Sequence, residues 1–271
     1  MTKTAIPYLL DARQLRPLLH DPGIRIVEVG TSKDYSNYHI PGAVFLDAEK
    51  LRLHTRPASG LLPDLPSLTE TLRSAGIDGN THIVAYDHDY SAEACRFLWV
   101  LEAVFHQPHS LLNGGMPAWL AESGPIETAP NRAPRSTLDF QLDDRVIADR
   151  SDVLQSLGQE KIRILDARSP AEYSGLKSSS ARKGHIPGAV NVHWLDTMDH
   201  NNARRLHAPE ILTGMLENAG IHPENEIIVY CQTHRRSSHS YMMLRSMGYP
   251  QVRGYAGSWS EWGNDPDLPI E

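Results

Sequence analysis

The sequence His-Ile-Pro-Gly-Ala-Val fills residues 39–44 and occurs again, unchanged, at residues 185–190. Chance is a poor explanation for six consecutive identities, which indicate an internal repeat. The features around the two copies keep the same order, because an apolar run that carries an acid precedes each copy, at 24–29 and 162–167. Each half also closes with a segment that contains glycine and tryptophan. The chain is therefore predicted to hold two copies of one domain.

Short β-branched runs alternate with helical segments in each half. The runs at 24–29, 83–86, 162–167 and 227–230 are rich in β-branched residues and continuous rather than alternating, which is typical of strands buried on both faces. Segments with helical spacing lie between these runs. The alternation predicts an α/β fold of two tandem domains, each a parallel sheet with helices on both faces.

A proline-containing stretch separates the halves. Residues 125–145 include three prolines and few apolar side chains, which predicts an extended linker. The predicted domains are therefore 1–124 and 146–271.

The composition narrows the classes of function. The 271 residues include 26 basic and 33 acidic ones, a formal net charge of -7, so no general surface for nucleic acid or acidic membrane is expected. No apolar run is long enough to span a bilayer and the N-terminus lacks a secretory pattern, so we expect a cytoplasmic protein. Two cysteines exclude a disulfide framework and a Cys-rich zinc site. Neither the histidine spacing nor any glycine-rich loop indicates a metal or nucleotide, so no metal and no cofactor are expected.

Cys231 stands where ligands bind in parallel sheets. It follows the 227–230 strand, and Ser237 or Ser238 is a plausible N-cap or first-turn residue of the next helix. Unpaired amides, the helix dipole and nearby arginines would favour a thiolate there. The alternative is a structural cysteine packed as a small hydrophobe. Its position and cationic neighbours favour a reactive thiol.

The first half provides an internal comparison. Its corresponding position holds Asp87, and acids stand nearby where the second half has arginines. This half has neither the nucleophile nor the cationic neighbours. Cys95 lies further on in an apolar segment and is predicted to belong to a helix core.

Three features of the sequence resemble the rhodanese family, specifically its two-domain sulfurtransferases. They are the doubled His-Ile-Pro-Gly-Ala element, the cysteine loop after the 227–230 strand, and the glycine–tryptophan segment 252–262. The resemblance covers nearly the whole chain. It implies an inactive N-terminal domain and an active C-terminal domain whose Cys231 cycles between thiolate and persulfide. It also implies thiosulfate as the sulfur donor and cyanide, a thiol or another thiophile as the acceptor.

The loop after Cys231 sets the predicted substrate site. Arg235 is expected to attract the anionic donor, and Arg236 to shape the loop, either around the sulfur or by pairing with a carboxylate. Gln232, Thr233 and His234 complete the predicted substrate-binding loop. This composition matches neither the loop common in thiosulfate-specific members of the family nor the one common in mercaptopyruvate-specific members, and it most resembles a bacterial type with a Cys-Gln-Thr-His loop. The two cationic arginines favour dianionic thiosulfate.

Three further residues have less specific predicted roles. Asp166 and Arg168 follow another strand and are expected to support the loop, although Asp166 is equally compatible with a purely structural cap. Because an acid recurs at the matching place in the first half, architecture is favoured over catalysis. Trp194 is expected either to line the substrate cleft or to pack between domains.

Three other functions remain open. A 3-mercaptopyruvate sulfurtransferase and a persulfide carrier that delivers sulfur to a protein acceptor would both use Cys231. A cysteine-dependent phosphatase has five residues between its cysteine and arginine, whereas four separate Cys231 from Arg236 here. The smaller loop favours sulfur over phosphate.

Overall fold

The computed structural model describes residues 6–79, 81–104 and 108–271. The chain forms two compact units. The first comprises the described parts of Met1–Leu51, Asp64–Leu142 and His200–Arg205, and the second comprises Arg52–Pro63, Asp143–Asp199 and Leu206–Glu271.

The first unit is built on a five-stranded sheet in the order β1-β5-β4-β2-β3, in which every neighbouring pair is parallel. Residues along β4 are buried consecutively, so both faces of this strand are covered. The strands are β1 Leu9–Leu10, β2 Ile24–Gly30, β3 Val44–Asp47, β4 His82–Tyr86 and β5 His109–Leu112. The helices are α1 Ala12–Leu15, α2 Ser32–Asn37, α3 Leu65–Ser74, α4 Ala92–Val104 and α5 Gly115–Ala121.

The second unit repeats this arrangement with a parallel sheet in the order β6-β12-β11-β7-β8. Its strands are β6 Ile147–Ala148, β7 Ile162–Asp166, β8 Val190–Asn191, β11 Glu226–Tyr230 and β12 Val252–Tyr255. Two further short strands, β9 Met198–Asp199 and β10 Arg205–Leu206, lie outside this sheet. The helices are α6 Arg150–Ser156, α7 Pro170–Tyr173, α8 Pro209–Asn218, α9 Arg236–Ser246 and α10 Ser258–Trp262. The predicted α/β class with two tandem parallel-sheet domains is confirmed.

The repeated His-Ile-Pro-Gly-Ala-Val element is hydrogen-bonded to a later segment of the chain in each unit. His39 exchanges two backbone hydrogen bonds of 2.9 Å with Glu127, and His185 exchanges equivalent bonds of 2.9 and 3.0 Å with Glu271. The ring of His39 stacks on Tyr35 with centroids 3.9 Å apart. These histidines are therefore structural elements that bind a later segment to the sheet.

The compact units differ from the contiguous division predicted from the sequence in three segments. Residues 52–63 pack with the second unit and residues 200–205 with the first, although the sequence pattern assigns each to the other half. Residues 125–142, most of the predicted extended linker 125–145, are grouped with the first unit, where Glu127 pairs with His39. Composition indicates where a chain lacks regular structure, but the contacts of a loop depend on its neighbours in space.

Candidate active site

The loop that begins at Cys231 lies at the carboxyl edge of the second sheet. It follows β11, which is the central strand, and it ends where α9 begins at Arg236. Ser237 and Ser238 occupy the first turn of α9, as predicted, whereas the N-cap position is held by Arg235.

Backbone contacts from α10 fix this loop. The amides of Trp259 and Ser260 donate to the carbonyls of Cys231 and Gln232, both at 2.9 Å. The amide of Cys231 donates to the hydroxyl of Ser258 at 3.3 Å. These bonds satisfy the carbonyls of Cys231 and Gln232 and the amide of Cys231, which limits how far the first two residues of the loop can move.

The thiol of Cys231 is buried, with the residue only 1% exposed. Burial by itself raises the pKa of this thiol, but the charge of Arg236, the hydroxyl and amide of Ser237 and the amide of Thr233 outweigh it. The net pKa of Cys231 therefore lies below its ordinary value. An apolar pocket would keep this sulfur protonated, whereas these donors stabilise a thiolate.

Arg236 contacts two side chains, the Cys231 thiol and the Glu172 carboxylate. Its guanidinium faces the Cys231 sulfur, and it makes two hydrogen bonds of 2.8 Å to the carboxylate of Glu172. Burial acts against ionisation of Glu172, but Arg236 and Ser169 lower the pKa of its carboxyl to about 2. Of the two roles considered for Arg236 from sequence, contact with the sulfur and pairing with a carboxylate, the structure contains both.

Glu172 was not predicted as a site residue from the sequence. The residue sits in a Ser-Pro-Ala-Glu sequence that begins α7, where it forms a capping box with Ser169. That local pattern explains the glutamate fully, so nothing in the sequence indicates its second partner in α9. The only hint in the sequence was the position of this carboxylate, which follows β7 and therefore lies at the same edge of the sheet as Cys231.

Three of the predicted loop residues have contacts of different kinds. The amide nitrogen of the Gln232 side chain donates to the hydroxyl of Ser180 at 3.1 Å. Thr233 lies against Gly60. His234 is fully buried at a φ of 54°, and its Nδ1 atom lies 2.7 Å from the Ser237 hydroxyl. His234 is thus part of the loop framework, and the structure brings no open surface to its side chain.

Asp166 and Arg168 form a buried ion pair beneath the loop. The Nε and Nη2 atoms of Arg168 donate to the Asp166 carboxylate over 2.6 to 3.0 Å, and the Tyr230 hydroxyl donates to the same carboxylate at 2.6 Å. The Arg168 guanidinium also lies 4.4 Å from the ring centroid of Trp259. These contacts support β11 and α10, which flank Cys231.

The first unit contains a related pair, because the Tyr86 hydroxyl donates to Glu28 at 2.5 Å. A tyrosine and an acid at matching places in both halves favour the architectural interpretation.

Trp194 packs edge-on against His239 of α9, with the ring centroids 5.8 Å apart. Burial lowers the pKa of His239 to about 4, so this imidazole is neutral near pH 7. The tryptophan is 7% exposed and contacts the helix that follows the Cys231 loop.

Asp87 occupies the equivalent position in the first unit. Its carboxylate accepts four backbone hydrogen bonds, from the amides of Asp89, Ser91, Glu93 and Ala94, over 2.8 to 3.2 Å. The fold thus presents amides to an anion in this copy as well, but a carboxylate fills the place. Cys95 lies nearby in α4, where burial holds the pKa of its thiol well above the ordinary value.

The residues that the structure describes include no cluster of three or more histidine, cysteine or acidic side chains suited to a metal ion. They also include no helix with the length and apolar character needed to cross a membrane.

The comparison with protein families agrees with this duplicated architecture. A family model described as a rhodanese-like domain matches residues 11–122 and 149–265. The chain belongs to the rhodanese-like family. The resemblance inferred from the repeated motif and the cysteine loop is therefore confirmed.

Individual relatives extend over almost the whole rhodanese-like chain. A thiosulfate sulfurtransferase of Pseudomonas aeruginosa is 38% identical over 266 residues, which cover 98% of this chain and 97% of that protein. A 3-mercaptopyruvate sulfurtransferase of Escherichia coli (strain K12) is 29% identical, with 97% and 91% covered. The crystal structure of YnjE superimposes with a TM-score of 0.88 at 24% identity, over 97% of this chain and 68% of that one. That structural likeness concerns the fold.

Proposed function

We propose that this protein is a thiosulfate sulfurtransferase that carries sulfur as a persulfide on Cys231. The observation that carries the proposal is the set of donors around one buried sulfur: the Arg236 cation, the Ser237 hydroxyl and amide, and the Thr233 amide. The relationship to a protein named thiosulfate sulfurtransferase over nearly the full length supports the same donor.

The first half-reaction transfers the outer sulfur of thiosulfate. The Cys231 thiolate attacks that sulfur, a new S–S bond forms, and the original S–S bond breaks with its electron pair leaving on sulfite. No external oxidant or proton is needed. The enzyme then holds a Cys231 persulfide, whose terminal sulfur is anionic.

The second half-reaction empties the enzyme. Cyanide, or a thiolate acceptor, attacks the terminal sulfur and the Cys231 thiolate departs with the electron pair of the broken S–S bond. Cyanide gives thiocyanate, and a thiolate gives a new persulfide. Because thiolate and persulfide are both anions, the same amides, hydroxyl and guanidinium stabilise every enzyme form.

The remaining predicted residues receive roles consistent with this cycle. Arg235 attracts the dianionic donor, Gln232 and Thr233 form the loop wall, and Asp166 with Arg168 supports the strand that ends at Tyr230. Trp194 holds α9 in place through His239. Acceptors include small molecules and protein thiols, and a cytoplasmic location remains a prediction.

A 3-mercaptopyruvate donor is the second candidate, supported by the relative of that name in Escherichia coli. The two adjacent arginines, Arg235 and Arg236, suit a dianion better than a monoanion. Comparison of kcat/KM for the two donors separates the candidates, and we expect the higher value with thiosulfate. A persulfide carrier would instead turn over slowly with cyanide and transfer rapidly to a protein thiol.

Intact-protein mass measured before and after thiosulfate, and again after cyanide, tests the proposal. The protein should gain one sulfur atom and then lose it. Cys231→Ala should abolish both changes, whereas Cys95→Ala should leave them intact. Thiosulfate turnover by the Cys231→Ala variant would contradict the proposal, and hydrolysis of an aryl phosphate by the wild-type protein would favour a phosphatase instead.

A further inference from the structure

The segment of residues 52–63 comes from the first half of the sequence but packs within the second unit. It is closed by two backbone hydrogen bonds, from Leu53 to the carbonyl of Leu61 at 2.8 Å and from Gly60 to the carbonyl of Leu53 at 2.9 Å. These bonds turn the segment back on itself, with Ser59 and Gly60 near its closed end.

Gly60 makes a close contact with Thr233 of the Cys231 loop. A Cβ atom placed on Gly60 would lie 2.6 Å from the Thr233 carbonyl oxygen and 2.7 Å from its Cβ. Gly60 also has a φ of +106°, a conformation that L side chains rarely adopt. Both the backbone and the available space therefore require glycine here.

The contact bears on the reactive sulfur through one residue. The amide of Thr233 is one of the donors to Cys231. A side chain at Gly60 would displace Thr233 and with it this amide. Since the sulfur is buried, a lost donor cannot be replaced by bulk water.

Ser59 makes a second contact with the framework of the loop. Its carbonyl shares the Ser260 hydroxyl with the carbonyl of Gly257, each at 2.7 Å from the hydroxyl oxygen. The amide of Ser260 in turn donates to the carbonyl of Gln232 at 2.9 Å. The segment thus touches Thr233 directly and reaches Gln232 through α10.

We propose that Gly60 is a positioning residue for the sulfur chemistry at Cys231, acting through Thr233. The first half has an aspartate in place of the nucleophile, yet it contributes this segment to the reaction. The inference rests on the proposed persulfide chemistry for its effect on turnover. Its effect on the free thiol requires no substrate.

Gly60→Ala tests the proposal in a Cys95→Ala background, which leaves Cys231 as the sole thiol. The rate of alkylation by iodoacetamide is measured against pH. We expect the midpoint to move to higher pH, with about tenfold slower alkylation at pH 7 because the thiolate fraction falls. Turnover with thiosulfate and cyanide should show a lower kcat, with a smaller change in KM for thiosulfate.

Gly220→Ala is the matched control. Gly220 lies in the same unit and also has a positive φ, +71°, but a Cβ atom there would meet no atom within 4 Å. This variant carries the backbone strain without the contact. It should keep the wild-type alkylation midpoint and the wild-type kcat.

The proposal is overturned if Gly60→Ala and Gly220→Ala have the same alkylation midpoint and kcat. Ser260→Ala provides a second test if Gly60→Ala does not fold, because it removes the hydroxyl that reaches Ser59 and adds no volume. It should move the midpoint in the same direction by a smaller amount, and an unchanged midpoint would contradict the proposal. Failure of the wild-type protein to accept sulfur from thiosulfate would refute the proposed function separately, since alkylation uses no donor.

Discussion

Arg236 donates two hydrogen bonds of 2.8 Å, one from each terminal nitrogen, to the two carboxylate oxygens of Glu172. The same guanidinium supplies the charge that acts on the Cys231 sulfur. A bidentate pair fixes the plane of the guanidinium as well as its position. Glu172 therefore determines how the cation is presented to the sulfur.

Glu172→Gln should lower kcat/KM for thiosulfate by about tenfold, or about 1.4 kcal/mol of transition-state free energy. The glutamine retains the capping interaction with Ser169, because glutamine also serves at that position of a capping box. The loss thus reports on Arg236. Steady-state kinetics provide the measurement. Glu210→Gln, an exposed glutamate at the start of α8, should leave the kinetics unchanged.

Substitutions of the two arginines should have different effects. Arg236→Ala removes the largest influence that lowers the pKa of Cys231, so the thiolate should form only at higher pH. We expect kcat/KM to fall about a hundredfold at pH 7. Arg235→Ala should mainly raise KM for thiosulfate, because we propose that this residue attracts the anionic donor.

The pH dependence of kcat/KM shows in which direction Arg236 moves the pKa of the Cys231 thiol. A lowered thiol pKa means that the thiolate is populated above that pKa and is lost as pH falls through it. The acidic limb of the wild-type kcat/KM profile should therefore lie below the ordinary range of a cysteine. Arg236→Ala should move this limb to higher pH, and an unmoved limb in that variant would exclude the charge effect.

Asp87→Asn should destabilise the first unit without slowing sulfur transfer. The neutral amide offers one acceptor oxygen in place of two, so buried amides among the four that Asp87 now satisfies lose their partner. We expect a loss of about 2 kcal/mol in the free energy of unfolding. Urea denaturation measures it, with Asp139→Asn, at an exposed ion pair, as the control. A loss of kcat at unchanged stability would show that Asp87 acts in the chemistry.

The pair of His88 and Glu28 predicts a pH-dependent stability of the first unit. Burial lowers the pKa of His88, but the hydrogen bond and charge of Glu28, with Asp34 and Asp87, raise it overall above 6.5. The contribution to stability is complete below pH 6.5 and is lost as pH rises through the folded-state pKa. The unfolding temperature should decline over that range in the wild-type protein.

His88→Gln should flatten this decline, and His222→Gln in the second unit should not. The corresponding acid of the second unit, Asp166, pairs with Arg168, which keeps its charge at these pH values. An identical pH dependence in the wild-type protein and the His88→Gln variant would rule out this histidine as the source.

Much of the fold follows from local sequence patterns. The repeat of His-Ile-Pro-Gly-Ala-Val establishes two copies, and continuous β-branched runs establish parallel strands, because strands buried on both faces have no polar alternation. The position of Cys231 after β11 follows from the same pattern. The replacement of this cysteine by Asp87 in the first copy is visible by comparing the halves.

Two residues of the candidate site, Glu172 and Gly60, could not be predicted from the sequence, and the reason is the same for both. Glu172 is explained locally by its capping box, and Gly60 has the appearance of an ordinary turn residue. Glu172 lies 64 positions from the residue that it serves. The partners of Glu172 and Gly60 are side chains and backbone atoms that come close only because separate helices and loops pack together.

Short-range patterns were enough to predict the duplicated α/β architecture, the candidate nucleophile Cys231 and the aspartate at the matching place in the first copy, because periodicity and residue type act over short distances along the chain. The folded structure was needed to show that Arg236 is held by Glu172, that Asp166 and Arg168 form a buried ion pair, and that residues 52–63 pack with the second unit. Those relationships depend on where helices and loops meet in space, and hydrogen bonds between distant residues leave no spacing in the sequence from which they can be deduced.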